Sequence, residues 1–199
     1  MNDKTQIYEA LQYVRGLFRK KLPKSMYYHD IKHTLEVYRS AIRYGKMEGL
    51  SKKDITLLAL AGIFHDTGYV RKYNKNEHEG ADIAKKYLTT AGFGRKEISI
   101  ISKIILETQM PQRPKNLMQE IICDSDLDSL GRRDFFLRGS YLRKELETRR
   151  GFRFSDKEWD MIQIKFLASH KYFTESARKM RCDRKKKNLK KLKQMLLNA

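Results

Sequence analysis

Residues 55–64, ITLLALAGIF, are apolar on nearly every side and run directly into His65-Asp66. Such a run predicts the most deeply buried helix of a helical core, since no face of it suits water. Ser51 and Asp54 just ahead of it resemble a capping box, which satisfies the free backbone N–H groups of a helix start. An ionisable pair at the end of this helix is costly to bury unless a partner compensates it, and a metal ion is such a partner. The plainer account is a histidine interacting with its helix dipole and an aspartate capping the loop.

The rest of the chain reads as all-α. Apolar residues recur at intervals of three and four, β-branched alternation is scarce, and only Pro23, Pro111 and Pro114 interrupt the pattern. Ile7, Leu11, Val14, Leu17 and Phe18 give an opening amphipathic helix that stops before Pro23. The pattern then predicts helices from about His29 to Gly49, from Glu77 to Ala91 with Gly92 as cap, and onward to Thr108. Past the break QMPQRP, helices follow in NLMQEIICDSDL, from Asp134 to Arg150, after the Ser155/Glu158 cap, and from Thr174 to the end. With no repeat or linker, this is one bundle of eight or nine helices over residues 1–199, closing on a basic helix at 175–197.

Hydrophobic residues at 40% supply a core, so the 34% of charged residues form a polar surface. The N-terminus lacks a signal-peptide pattern, and no window approaches the roughly 18 apolar residues of a membrane span. Cys123 and Cys182 are too few and too far apart for a disulfide framework, which fits a reducing cytoplasm. The net charge of +19 attracts nucleotides, nucleic acids or anionic surfaces. Ten basic residues and one acid lie between Arg178 and Lys193. Leu189, Leu192, Leu196 and Leu197 keep helical spacing there, so a solvated helix docked by its leucines is favoured over a nucleic-acid arm.

Chemistry concentrates in three places. His29 and His33, four apart on one predicted helix, look into one site. His65-Asp66 ends the buried helix, and Asp124, Asp126 and Asp128 follow an apolar run that brings a carboxylate to the core. Two imidazoles and two carboxylates favour an open, near-octahedral site for Mn²⁺, Mg²⁺, Fe²⁺, Ni²⁺ or Co²⁺ over a closed structural zinc site.

The pattern H…HD…D resembles the HD superfamily of metal-dependent phosphohydrolases, all-α domains named for the His-Asp pair. YYHDIKHTLEV looks like the Tyr-His-x-x-x-His segment shared by cyclic-nucleotide phosphodiesterases and small bacterial HD proteins, and LAGIFHDTGY like the HD helix. KNEHEGADIA, TQMPQRPKN, CDSDLDSLGRRDFF and HKYFTESARKMR extend the resemblance to a group of stand-alone HD phosphohydrolases over residues 25–195.

The resemblance implies that His33, His65 and Asp66 are metal ligands. It places the fourth ligand at Asp126, whose Ser-Asp-Leu context fits better than that of Asp124, the reserve. His29 matches the histidine that protonates the leaving oxygen in the phosphodiesterase branch, and Asp66 orients the attacking water. A second metal or a substrate phosphate would fall to His78, Lys32, Arg71 or Arg132, with Lys72 and Arg178 as further cations; His170 reads as structural. Glu77 and Glu79 only approximate the Glu-Asp pair of guanosine-tetraphosphate hydrolases, and the Gly-Tyr-Pro signature of the cyclic-dinucleotide branch is missing.

The implied activity is metal-assisted hydrolysis of a phosphoester, with a nucleotide or similar small phosphorylated compound as substrate. The alternatives are a cyclic-nucleotide or other phosphodiesterase and, from another class, a nucleotide- or RNA-binding module with an inactive metal site.

Overall fold

The structure, a computed structural model, describes residues 3–197. Among these are nine α-helices and no strand: α1 (Asp3–Lys21), α2 (Ile31–Met47), α3 (Lys52–Phe64), α4 (Asn76–Thr90), α5 (Arg95–Leu106), α6 (Leu117–Asp126), α7 (Phe135–Arg150), α8 (Asp156–Ser169) and α9 (Glu175–Leu197). Two 3₁₀ turns, Thr67–Val70 and Asp128–Gly131, follow α3 and α6. The expectation of an all-α bundle therefore holds.

The apolar run behaves as its composition requires: every residue from 56 to 64 is buried, and α3 is wrapped by α1, α2, α5 and α6. Each large aliphatic or aromatic side chain removed from water there contributes roughly 1.5–3 kcal/mol. Ser51 starts the helix by accepting a hydrogen bond from the Asp54 N–H. In α2 the buried positions His33, Val37, Ala41 and Tyr44 recur every three or four residues, so His33 lies on the stripe that faces the core. The α2–α3 pair thus delivers both motif histidines to the interior.

Two glycines let α4 press on the turn after α3. A Cβ on Gly68 would sit 1.8 Å from the Asn76 carbonyl oxygen, and one on Gly80 would sit 2.9 Å from that of His65. Neither position accepts a side chain without moving backbone. Gly92 closes α4 as the sequence predicts, with φ of +82° and its N–H donating to Thr89.

The second helix starts later than the pattern suggests. Asp30 is its cap, accepting a hydrogen bond from the His33 N–H at 2.9 Å, so His29 lies in the segment before α2 instead of on it. A side chain that caps the first turn competes with helix formation at its own position. The two histidines still meet, their rings 5.7 Å apart at near right angles.

A smaller apolar cluster joins the second 3₁₀ turn, α7, α8 and α9 around Leu130, Phe135, Leu167 and Leu192. Leu192 is fully buried and Leu189 packs beside it, while Leu197 is 85% exposed. Asn188 donates to the Leu130 and Arg132 carbonyls at 3.0 Å each. The basic helix is docked on the domain and, Lys185 apart, shows its lysines to solvent.

His170 is the C-terminal cap of α8, and its Nε2 is buried without a hydrogen-bond partner. Its Nδ1 accepts from Lys185 Nζ at 3.1 Å, and its ring meets Tyr172 edge-on at 4.6 Å. Burial and the Lys185 charge push its pKa down to about 4. Between that value and the usual 6.5 the unfolded chain binds the extra proton, so His170 weakens folding as pH falls through this window. The loss is on the order of 2–3 kcal/mol by pH 4. Urea unfolding of wild type and His170→Gln at pH 7 and pH 4.5 should show a smaller acid-induced loss in the variant.

Candidate metal centre

His65 caps the C-terminal end of α3, and its Nδ1–H donates to the Gly62 carbonyl at 2.9 Å. That bond fixes the tautomer and leaves the Nε2 lone pair for a ligand. Nε2 of His65 lies 3.1 Å from Asp66 Oδ2, and Nε2 of His33 lies 3.5 Å from the same oxygen. Asp126, the last residue of α6, enters from the opposite side. Its Oδ1 stands 3.0 Å from His33 Nε2 and 3.6 Å from His65 Nε2.

His33, His65 and Asp66 are each at most 5% exposed, and one ligand atom from each lies within 4.8 Å of the others. His65 Nε2 and Asp66 Oδ2 are sealed from solvent without a hydrogen-bond partner. Two orphaned buried atoms facing one another, one nitrogen and one oxygen, are what a divalent ion would satisfy. The donor set fits such an ion.

Electrostatics agree. Burial opposes a charge on His65, but the carboxylates of Asp66 and Asp126 outweigh it and hold its pKa well above the usual value. Burial likewise opposes ionisation of Asp66 and Asp126, and the imidazoles outweigh it, so both carboxyls titrate below their usual range. The two carboxylates thus favour positive charge among the imidazoles.

Asp124 does other work. Its two oxygens accept from the Phe173 N–H, the Thr174 N–H and the Thr174 hydroxyl at 2.7–2.9 Å, tying α6 to the start of α9. Burial still pushes its pKa up to about 6. Asp128 accepts from Tyr44 and takes both Nε and Nη2 of Arg181. Asp124→Ala should therefore cost about 2–4 kcal/mol in urea unfolding, through three unpaired donors, and leave metal content unchanged. Asp126→Ala is expected instead to lower metal content.

His29 is held by Glu145, a residue on α7 that carries no motif. Glu145 is fully buried and accepts from the His29 ring Nδ1 at 2.5 Å, from the His29 N–H at 3.1 Å and from the Tyr28 N–H at 2.9 Å. Burial works against a charge on His29, but the Glu145 bond and the carboxylates of Asp66 and Asp126 raise its pKa above normal. The Tyr69 ring packs on it at 4.5 Å.

Most of the other cations and the second-metal candidate stand apart from this cluster. His78 is exposed and lines a groove between α4 and α5. Arg71 and Lys72 both pair with Glu79, and Lys32 is exposed. Arg132 is tied to Asp134 and Glu36, and Arg178 donates to the Tyr172 and Phe173 carbonyls. Glu77, at the start of α4, faces the other way from Glu79. Burial, then the charges of Asp66 and Asp126, push its pKa up, and its Oε2 is buried without a partner.

The HD-domain model matches residues 30–131, which run from the cap of α2 through His33, His65-Asp66 and Asp126 to the second 3₁₀ turn. The chain belongs to the HD-domain family. Solved structures share its HD fold along its whole length. One, described as a predicted HD superfamily hydrolase from an uncultured Thermotogales bacterium, is 21% identical, with a TM-score of 0.65 over 100% of this chain and 99% of that one. Bacillus subtilis YpgQ in complex with ADP is 16% identical, with a TM-score of 0.73 over 100% and 97%. YpgQ alone gives 0.71 at the same identity and coverage. No curated protein matches the chain.

Proposed function

We propose that this HD domain is a metal-dependent phosphohydrolase that cleaves a phosphoester of a nucleotide or similar small phosphorylated compound. The observation that carries the reading is the convergence of His33, His65, Asp66 and Asp126 around two buried atoms that lack partners. Family membership supports hydrolysis, and the ADP bound to the B. subtilis neighbour supports a nucleotide-like substrate. Among the described residues no helix is long and apolar enough to cross a membrane.

Those four side chains would hold the ion. When bound, a divalent ion of the Mn²⁺, Mg²⁺, Fe²⁺, Ni²⁺ or Co²⁺ type supplies Lewis-acid polarisation of a phosphoryl oxygen and activation of water. Asp66, anionic and 3.5 Å from Asn76 Nδ2 through its other oxygen, orients the attacking water. His29 keeps Nδ1–H on the Glu145 carboxylate, so Nε2 is the nitrogen that carries a proton to the leaving oxygen. Its raised pKa keeps that proton available near neutrality.

The test is to measure bound metal and then screen nucleotides, cyclic nucleotides and simple phosphoesters with Mn²⁺, Mg²⁺, Ni²⁺ and Co²⁺. Metal-dependent turnover of nucleoside phosphates is the expected result. Turnover confined to cyclic nucleotides would make the protein a phosphodiesterase. RNA binding with steep salt dependence and no turnover at all would replace the reading with that of a binding module, as the +19 charge allows.

A further inference from the structure

A cavity of about 320 Å³ opens beside His29 and Asp126 and runs between α7 and α8. Its walls are Phe135, Leu142, Leu146, Trp159, Phe166 and Leu167. Ile162, 44% exposed, and Met110, 54% exposed, also line it and extend the apolar surface toward solvent. A void of this size in an apolar layer normally collapses, because its lining loses contacts on one side.

Two side chains in the wall are out of place in a merely hydrophobic layer: Arg138, 1% exposed with Nε and Nη1 lacking hydrogen-bond partners, and Gln163. Gln163 is 9% exposed and lines the cavity, yet its amide has no hydrogen-bond partner among the described residues. Neither amide atom is shut off from solvent-accessible space. Its Oε1 lies 2.7 Å from the point where a Cβ on Gly139 would stand. Gly139, inside α7, thus gives the amide its room at a position where glycine costs the helix about 1 kcal/mol relative to alanine. The amide therefore faces the cavity with its hydrogen-bonding capacity open to whatever fills it.

We propose that this cavity is a nucleobase site, with the Gln163 carboxamide pairing with the edge of the base while the phosphate lies at the metal centre. The proposal rests on the phosphohydrolase reading and deepens it. A base has two apolar faces and an edge with a donor beside an acceptor, and a carboxamide offers the complementary pair. An alkyl group would leave the amide, and Nε and Nη1 of Arg138, without hydrogen-bond partners. The volume lies at the small end of ligand pockets, suited to one base with part of its sugar. The amide can turn either way, so it recognises base edges as a class.

Trp159 is the single tryptophan of the chain and lines the cavity, so it reports occupancy without turnover. Its fluorescence should be titrated with the 5′-monophosphates of adenosine, guanosine, cytidine and uridine, with ADP, and with ribose 5-phosphate as the control that lacks a base. At least one nucleotide should quench it, and ribose 5-phosphate should not. In Gln163→Leu the dissociation constant of that nucleotide should rise about tenfold, the value of one neutral hydrogen bond. Ile162→Trp is reported by ligand protection from thermal unfolding instead, since it adds a second indole. It should narrow the mouth and weaken the same nucleotide while the partly exposed position leaves the fold intact. No quenching by any nucleotide, or equal affinity in wild type and Gln163→Leu, would overturn the base site. Because the titration needs no catalysis, failure to turn over any phosphoester would count against the phosphohydrolase reading alone.

Discussion

Asp66→Ala is expected to abolish phosphoester turnover and, in the same protein, the rise in melting temperature that added Mn²⁺ gives the wild type. Asp66 Oδ2 is the oxygen that both His33 and His65 approach, at 3.5 and 3.1 Å, and alanine leaves the two imidazoles facing Asp126 alone. A ligand that binds only the folded state stabilises it by about 2.7 kcal/mol at a hundred times its dissociation constant. The wild type should show a gain of that order in saturating metal and the variant almost none. Turnover should fall by at least about 10³-fold, or roughly 4 kcal/mol of transition-state stabilisation. Metal-free stability should also fall, since the lost carboxylate offsets charge on the buried His65, so the variant is judged on its melting shift with and without metal. Activity surviving in Asp66→Ala would remove the metal centre from the mechanism, and a retained metal-dependent melting shift would move the ion elsewhere.

The parts of this site that the sequence reveals are local in origin. The apolar run of α3 can only be a central helix, and its terminal dipeptide is therefore buried whatever surrounds it. His33 follows from the three-to-four spacing that puts Val37, Ala41 and Tyr44 on the core face. Local pattern does not separate Asp124 from Asp126, because both lie near the end of one short helix. Asp124 meets backbone N–H groups from residues some 50 positions later in the chain, a partner that no window around α6 contains. Glu145 was invisible for the same reason. It sits 116 residues from His29 in a helix where only Phe135, Arg138 and Glu145 are buried, so no apolar stripe announces an inward face. A buried glutamate in such a helix reads from sequence as one more surface charge. The cavity between α7 and α8 likewise arises from tertiary packing, and no local pattern in either helix marks it.

Glu145→Gln is the second large effect, and it separates positioning from structure. Glu145 accepts from two backbone N–H groups as well as from the His29 ring, which fixes the segment before α2 against α7. Glutamine keeps the shape and one acceptor oxygen but removes the negative charge that helps hold the His29 pKa above its ordinary value. A general acid works while protonated, so activity is lost as pH rises through its pKa. Lowering that pKa should move the alkaline limb of the kcat profile to lower pH, with kcat at pH 8 reduced about 10–100-fold and KM little changed. The acidic limb should stay where it is. Glu145→Ala should add a cost of about 2–4 kcal/mol in urea unfolding, because the Tyr28 and His29 N–H groups lose their acceptor. A glutamine variant with an unshifted limb would assign Glu145 a purely structural role, whereas His29→Gln losing the same limb while still binding metal would place the proton on the ring that Glu145 orients.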